Sequence, residues 1–216
     1  MKCKLIGQFI QYLEIILSPG ENFFAEKGSV IYLEAGIDKE VSFNGSGIGR
    51  ILGARLSGES LFILRLSNMT NMPRKVVIGS HHGLLPVKLN GDTMICHRGV
   101  YVGSNNMVNV TTKLSIAGLA GGMGAFLQKI QGNSTVFLDT IGQPITINLQ
   151  YGETIEVDED HIVALLNISE SQMQENWSLG NLLGGEGLSM MRITGPGTVY
   201  LSPGKIYEQV SPYANR

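Results

Sequence analysis

Apolar and polar residues alternate over short stretches along this chain, and turn-forming residues separate one stretch from the next. The clearest alternation runs over residues 145–150, where Ile145, Ile147 and Leu149 are interleaved with polar residues. Strict alternation is typical of a strand with one buried face, so these three side chains are expected to face the core. Shorter apolar runs predict further strands over residues 13–17, 23–25, 30–33, 41–43, 76–78, 136–138 and 199–201.

A tight turn joins the first two of these predicted strands. Residues 18–21 read Ser-Pro-Gly-Glu, and Pro followed by Gly suits the two central positions of a β-turn. Residues 13–25 are therefore expected to form a β-hairpin.

One pattern of residue types occurs three times. In each copy a glycine is followed seven positions later by a cation, then by Leu or Ile, a polar residue, and Gly or Asn. The glycines are Gly58, Gly122 and Gly185, and the cations are Arg65, Lys129 and Arg192. Internal repeats of this kind indicate one supersecondary unit used several times.

A second block also repeats. Gly20, Gly91 and Gly152 are each followed by an acidic residue and then by a short, partly apolar strand. This block has the form of the hairpin at residues 13–25, so a copy of that hairpin is expected in each unit.

The two blocks predict an all-β chain of antiparallel strands, with residues 1–216 forming a single domain of three units. The units are expected at about residues 58–115, 122–177 and 185–205. Because the third unit ends before its hairpin, residues 10–43 are expected to complete it, which places the termini side by side. The expected arrangement is closed and pseudo-threefold, and closure would remove exposed strand edges.

Composition and charge narrow the classes of protein. The 216 residues include 28 glycines, 16% of residues are charged, and the formal net charge is −2. Nucleic-acid-binding proteins usually carry a basic excess, so nucleic acid is not an expected partner. The two cysteines, Cys3 and Cys96, indicate a reducing compartment rather than a disulfide framework, and we predict a cytoplasmic protein with Cys96 in its core.

No stretch of the sequence is expected to cross a membrane. The longest uncharged apolar-rich segment, residues 114–128, is short for a spanning helix and rich in glycine. The first residues lack the apolar core of a secretory leader. Peripheral contact with a membrane surface remains compatible with the sequence.

The reactive side chains do not form a recognisable catalytic pattern. Adjacent His81 and His82 would point to opposite faces of a strand, and His-x-His and Cys-x-x-Cys spacings are absent. Residues 158–161, three acids followed by a histidine, occupy the turn of the repeated hairpin and are interpreted as a solvated turn. Gly-x-Ser-x-Gly is also absent. We predict no catalytic residue, no metal site and no cofactor.

The repeated cations are the polar residues of greatest interest. Threefold placement of Arg65, Lys129 and Arg192 could bind an anion or a partner. Alternatively, each side chain covers the sheet with its stem and reaches solvent, or an acid such as Glu59 or Glu186, with its charged head.

Several of these segments resemble a known family. Gly-Pro-Gly-Thr-Val-Tyr-Leu at residues 195–201, Gly-Glu at residues 185–186 and Leu-Ser-Pro-Gly-Glu at residues 17–21 resemble the altered-inheritance-of-mitochondria 24 family, whose bacterial members are mostly of unknown function. The resemblance covers nearly the whole chain and departs at residues 122–123, which read Gly-Met where the family usually has Gly-Glu.

The resemblance implies a fold and, more weakly, a role. It implies a double-stranded β-helix arrangement like that of the trp RNA-binding attenuation protein, with no established catalytic residues. It also implies a link to the organisation of membrane complexes or to stress. RNA binding does not transfer with the fold alone.

We therefore expect a non-enzymatic interaction or scaffold protein that forms homo-oligomers or binds other proteins. The alternative is a small-ligand-binding module or a cupin-like enzyme with a central cavity, which predicts convergent polar groups and at least one perturbed pKa.

Overall fold

The computed structural model of the protein describes residues 1–43, 62–97, 99–111, 127–176 and 190–206. Strands dominate these residues, and all of the strand pairs described in them are antiparallel. Helical structure in this part of the chain is limited to the 3-10 turns Lys27–Ser29, Glu159–His161 and Glu170–Gln172. The all-β prediction is confirmed.

The described strands are numbered in chain order. They are β1 (Lys2–Ile6), β2 (Tyr12–Leu17), β3 (Asn22–Glu26), β4 (Val30–Leu33), β5 (Ile37–Phe43), β6 (Phe62–Asn68), β7 (Arg74–Gly79), β8 (Gly83–His97), β9 (Tyr101–Ser104), β10 (Asn109–Thr111), β11 (Leu127–Thr140), β12 (Ile145–Leu149), β13 (Thr154–Asp158), β14 (Ile162–Leu166), β15 (Met173–Asn176), β16 (Met190–Thr194) and β17 (Gly197–Leu201).

The strands form three sheets. A four-stranded sheet has the order β1-β2-β7-β4, and a three-stranded sheet has the order β13-β16-β15. A ten-stranded sheet runs β12-β17-β14-β8-β11-β9-β3-β6-β5, with β10 paired to β11 beside this path. The expected closed arrangement is wrong for these sheets, because each ends in strands that pair on one side only within the described residues.

The predicted hairpin at residues 13–25 is a corner between two sheets. The turn itself is present, since the Glu21 N–H donates to the Ser18 carbonyl at 3.0 Å. However, β2 pairs with β7 in the four-stranded sheet, whereas β3 pairs with β6 in the ten-stranded sheet. Since β6 and β7 are also consecutive in the chain, the two segments form one antiparallel ribbon that bends at Gly20.

Two similar ribbons follow. β8 pairs with β11 along nearly its whole length, with a register irregularity between Gln131 and Asn133 opposite the Gly91 region. β12 pairs with β17, and β13 pairs with β16, so the third ribbon bends near Gly152. The glycines of the second repeated block therefore mark bends in ribbons rather than the tips of hairpins.

This pairing also corrects the expected grouping of the chain. β16 and β17 pair with strands from residues 145–176, not with residues 10–43. The N-terminal strands β2 and β3 pair instead with β7 and β6, at residues 62–79. Pairing within a contiguous segment closes a shorter loop, which loses less chain entropy.

The core consists of apolar side chains on the inner faces of the sheets, and Cys96 is fully buried in it as predicted. Leu149 is buried, but Ile145 is 51% exposed, so its predicted burial is wrong. Ile145 begins β12, the outermost strand of the ten-stranded sheet. Alternation identifies the face on which a residue lies, but an edge position determines whether anything covers it.

Candidate functional site

Two of the three repeated cations pair with acids directly across a strand ladder. Arg65 on β6 is opposite Glu40 on β5, and its Nη1 lies 3.7 Å from Oε2 of that residue. Arg192 on β16 is opposite Glu156 on β13, and its Nη2 lies 3.0 Å from Oε1. All four side chains are well exposed, and pairs of this kind contribute about 0–1 kcal/mol.

The third cation, Lys129, lies half-buried on β11 opposite Ile95 and Thr111. The three cation-bearing strands are not neighbours in any described sheet, so no strand pairing places two of these cations side by side. The proposed acidic partners Glu59 and Glu186 lie outside the described residues. The charged heads of Arg65 and Arg192 thus reach acids, but acids other than the two that the sequence suggested.

The repeated glycines fall into two groups. Gly20, Gly91 and Gly152 have φ values of +76°, +85° and +80°, and no atom lies within 4 Å of the position where a Cβ would stand. These positions therefore favour glycine for its backbone conformation rather than for space. Gly58, Gly122 and Gly185 lie outside the described residues.

The acidic turn at residues 158–161 is tied to the C-terminal segment of the described chain. Lys205 Nζ lies 3.0 Å from a carboxylate oxygen of Asp158 and 3.2 Å from one of Asp160. Hydrogen bonds to these two carboxylates raise the pKa of Lys205. His161 Nδ1 lies 2.7 Å from the carbonyl oxygen of Ser202.

These contacts clamp the acidic turn against residues 202–205. The carbonyl oxygen of Ser202 is a hydrogen-bond acceptor, so it holds the histidine as a donor at Nδ1. The turn is present as predicted, but it is solvated only in part, because the middle acid, Glu159, is buried.

His81 and His82 lie in the turn between β7 and β8, not on a strand. Their ring centroids are 6.3 Å apart. His82 donates its backbone N–H to Asp139 Oδ1 at 3.3 Å, and its Nδ1 lies 3.5 Å from Oδ2. In the part of the chain that the structure describes, no three side chains of metal-binding type come together.

Exposed apolar residues at two places were missed by the sequence reasoning. On β4, Ile31 is 61% exposed and Tyr32 is 44% exposed. In the turn between β1 and β2, Phe9 is 90% exposed and Ile10 is 69% exposed. A signal was present in the uninterrupted apolar run at residues 30–33, which lacks the polar alternation of a strand with one solvated face.

Within the described ranges, no helix has both the length and the apolar character needed to span a bilayer.

Comparisons with known proteins agree with this architecture. The chain is similar to an uncharacterised protein of Streptococcus pyogenes serotype M6, with 26% identity over 204 residues, covering 88% of this chain and 79% of the relative. It is also similar to the crystal structure of a Streptococcus pyogenes protein, with a TM-score of 0.70 and 20% identity, covering 95% of this chain and 94% of the other. At that identity the structural likeness concerns the fold alone.

The family comparison extends over almost the whole sequence. The model of the family described as mitochondrial biogenesis AIM24 matches residues 3–204. This range includes all of the ribbons and both repeated blocks, and the chain therefore belongs to the mitochondrial biogenesis AIM24 family.

Proposed function

We propose that this protein is a non-enzymatic scaffold that associates with further copies of itself. The observation that carries the proposal is the exposed apolar edge at β4, one of the two outer strands of the four-stranded sheet, where Ile31 and Tyr32 face solvent. An edge strand presents unpaired backbone groups that readily accept another strand. Covering its large apolar side chains adds the hydrophobic contribution to that pairing.

Internal repetition supports the scaffold role. We propose that residues 12–79, 83–140 and 145–201 are three copies of one unit in a pseudo-threefold arrangement like that of the trp RNA-binding attenuation protein. In support, each segment contains one bent antiparallel ribbon. The repeated cations also occupy the same place in each ribbon. Arg65, Lys129 and Arg192 are opposite Phe24, Ile95 and Glu156, respectively.

Self-association is tested by size-exclusion chromatography with light scattering on the purified chain over a wide range of concentration. We expect a mass that is a multiple of the 23.4 kDa chain and that rises with concentration. A mass of one chain at every concentration would contradict the proposal.

The family description suggests the cellular process in which the scaffold takes part. It concerns mitochondrial biogenesis, and we propose that the scaffold organises a membrane-associated protein complex. Co-purification from the native cell, with quantitative mass spectrometry, tests this role. Enrichment of subunits of one membrane complex would support it, and recovery of the bait with chaperones alone would count against it.

A further inference from the structure

The chain contains two joints at which consecutive segments pair edge to edge. In the first, β3 pairs with β9, with Phe24 opposite Ser104 and Ala25 opposite Gly103. In the second, β8 pairs with β14, with Ile95 opposite Leu165 and Cys96 opposite Ala164. Both joints are antiparallel, and each connects a segment to the one that follows it in the chain.

The repeated cations make it possible to align the strands that come first in each joint. Each of these strands, β3 and β8, has one residue directly opposite a repeated cation. Phe24 on β3 and Ile95 on β8 are opposite Arg65 and Lys129. On β13, Glu156 is opposite Arg192. Val157 therefore occupies the position of Ala25 and Cys96, the residues at the centre of the two joints.

The strands on the second side share a register irregularity. It falls between Tyr101 and Gly103 on β9 and between Ile162 and Ala164 on β14. On β4 the same irregularity falls between Val30 and Tyr32. Tyr32 therefore occupies the position of Gly103 and Ala164 in the two joints.

β13 corresponds to β3 and β8, and β4 corresponds to β9 and β14. In the described part of the chain, β13 and β4 have no partner strand at the edge where these other strands form a joint. Among the described strands, β4 pairs only with β7 and β13 pairs only with β16. β9 is buried throughout and β14 nearly so, whereas Ile31 and Tyr32 on β4 are exposed. The four-stranded sheet thus ends in a strand equivalent to β9 and β14, and the three-stranded sheet ends in a strand equivalent to β3 and β8. Strands of these two types pair with each other at both internal joints.

We infer that β13 of one copy pairs antiparallel with β4 of the next copy, merging the three-stranded and four-stranded sheets of neighbouring molecules. The inference rests on the self-association proposed above and specifies its interface. The internal joints set the expected register, with Val157 opposite Tyr32 and Glu156 opposite Leu33. A second copy is the occupant that the structure favours, because the described strands of one chain leave both edges unjoined while each edge carries the register that matches the other.

The side chains at this joint differ from those of the internal joints in one respect. Gly103 lies against the ring of Phe23, where a Cβ would stand 2.7 Å from Cε1. At the proposed joint the aromatic ring belongs to β4, as Tyr32, and the position of Phe23 is taken by Ile155. Ile155 is half-buried on β13, so covering it with a phenol ring removes apolar surface on both sides.

Pairing of two different edges has a consequence for the assembly. Every added copy leaves one β4 edge and one β13 edge free at its ends, so association continues until the rotation closes a ring or a filament forms.

Charge at the β4 edge provides the first test. The double variant Ile31→Lys, Tyr32→Lys changes exposed residues, and a circular dichroism spectrum like that of the unchanged chain will verify that it folds. We expect its mass by light scattering to fall to that of one chain. The control is Ile145→Lys, which places a lysine on the exposed edge strand β12 and is expected to leave the assembly intact.

A disulfide tests the register directly. In a Cys3→Ser background, which retains the buried Cys96, Tyr32→Cys and Val157→Cys are combined in one chain. Directly opposed residues of antiparallel strands lie at a distance that a disulfide can bridge. We expect a ladder of covalent multimers on a non-reducing gel after mild oxidation, and no species beyond a dimer for either single cysteine variant.

The outcomes distinguish a wrong interface from a failure of the proposed self-association. If the unchanged chain assembles but the β4 double variant assembles equally well and the paired cysteines give no ladder, the interface is wrong and self-association stands. If Ile145→Lys alone dissolves the assembly, the contact lies at β12 and the inference is again wrong. If the unchanged chain is a monomer at every concentration, both proposals fail.

Discussion

Gly103 on β9 lies directly against the ring of Phe23 on β3. A Cβ at position 103 would stand 2.7 Å from Cε1 of that ring and 2.8 Å from the carbonyl oxygen of Phe24. These distances are shorter than van der Waals contact, and one of the two atoms belongs to the backbone. The absence of a side chain at Gly103 therefore allows β3 and β9 to approach closely enough to pair.

Adding a methyl group at this joint is expected to destabilise the fold. Gly103→Ala forces a shift of the β3 backbone, so we expect the free energy of unfolding to fall by about 1–3 kcal/mol. Urea denaturation followed by circular dichroism measures it. Lys88→Ala, at an exposed position on β8, is the control and is expected to change stability by no more than about 0.5 kcal/mol. Equal midpoints for the two variants would show that the joint can expand.

A buried amide organises the bend of the first ribbon. The Nδ2 of Asn68 donates to the carbonyl oxygens of Leu17 and Met72, both at 2.8 Å. Its Oδ1 accepts from the backbone N–H of Thr70 at 3.0 Å and from the hydroxyl of Thr70 at 2.8 Å. The side chain thus connects the end of β2 to the loop that follows β6.

Asn68→Asp is expected to destabilise the protein by about 3 kcal/mol or more, because it removes both donors and places a carboxylate against two carbonyl oxygens. Thermal and urea unfolding at neutral pH measure the loss. Asn109→Asp makes the same chemical change at an exposed strand position and is expected to have little effect. Similar losses in both variants would point to a general charge effect and against this network.

Glu26 predicts a pH dependence of stability. Burial raises the pKa of Glu26 above its ordinary value of 4.5, although N–H groups of Gly28 and its neighbours partly oppose the shift. Because the folded state then holds the proton more tightly than the unfolded state, ionisation of Glu26 lowers stability above its folded pKa. The penalty disappears as the pH falls below 4.5.

We therefore expect Glu26→Gln to be more stable than the unchanged chain at pH 7 and to lose this advantage in acid. Urea midpoints across the pH range measure the difference. Asp92→Asn is the control of opposite sign. The N–H of Asn90, and then the side chain of Asn167, lower the pKa of Asp92 below 3.8, so its stabilising contribution is present above that pH and is lost as the pH falls through its folded pKa. The same trend in both variants would refute the assignment.

The two thiols are expected to react at different stages of unfolding. Burial raises the pKa of the Cys96 thiol to about 12, and the residue has no exposed surface. Desolvation also raises the pKa of the Cys3 thiol, to about 11, although the residue is exposed overall. Since the thiolate is the reactive form, a thiol reagent should modify Cys3 slowly and Cys96 only after denaturation.

Kinetics of labelling with a chromogenic disulfide reagent, with and without urea, test this order. Cys3→Ser should abolish labelling of the folded chain. Rapid reaction of Cys96 in the folded protein would mean that the core around β8 opens readily.

Strand positions were predictable because the signals for them are local. The run at residues 30–33 became β4 without change of bounds, and the turn at residues 18–21 formed as expected. The expected hairpin failed for a reason that local patterns do not contain. β2 pairs with β7 and β3 pairs with β6 instead of with each other, so the turn between β2 and β3 is a corner between two sheets.

The role of the repeated cations was only half accessible from the sequence. Their spacing identified equivalent positions, but the acids that pair with Arg65 and Arg192, namely Glu40 and Glu156, lie on strands 25 or more residues away in the chain. The exposed residues Ile31 and Tyr32 appeared as ordinary strand residues. Only the absence of a described strand beyond β4 distinguishes them from the buried residues of β9 and β14.

Sequence by itself determined that this protein is all-β, where most of its strands lie and where its glycines bend the chain, since alternation and positive φ depend on a few consecutive residues. Tertiary structure alone decided which strands pair, which sheets remain open and which apolar residues meet solvent. Backbone hydrogen bonds between distant segments make those choices, and N–H and C=O groups are the same at nearly every residue.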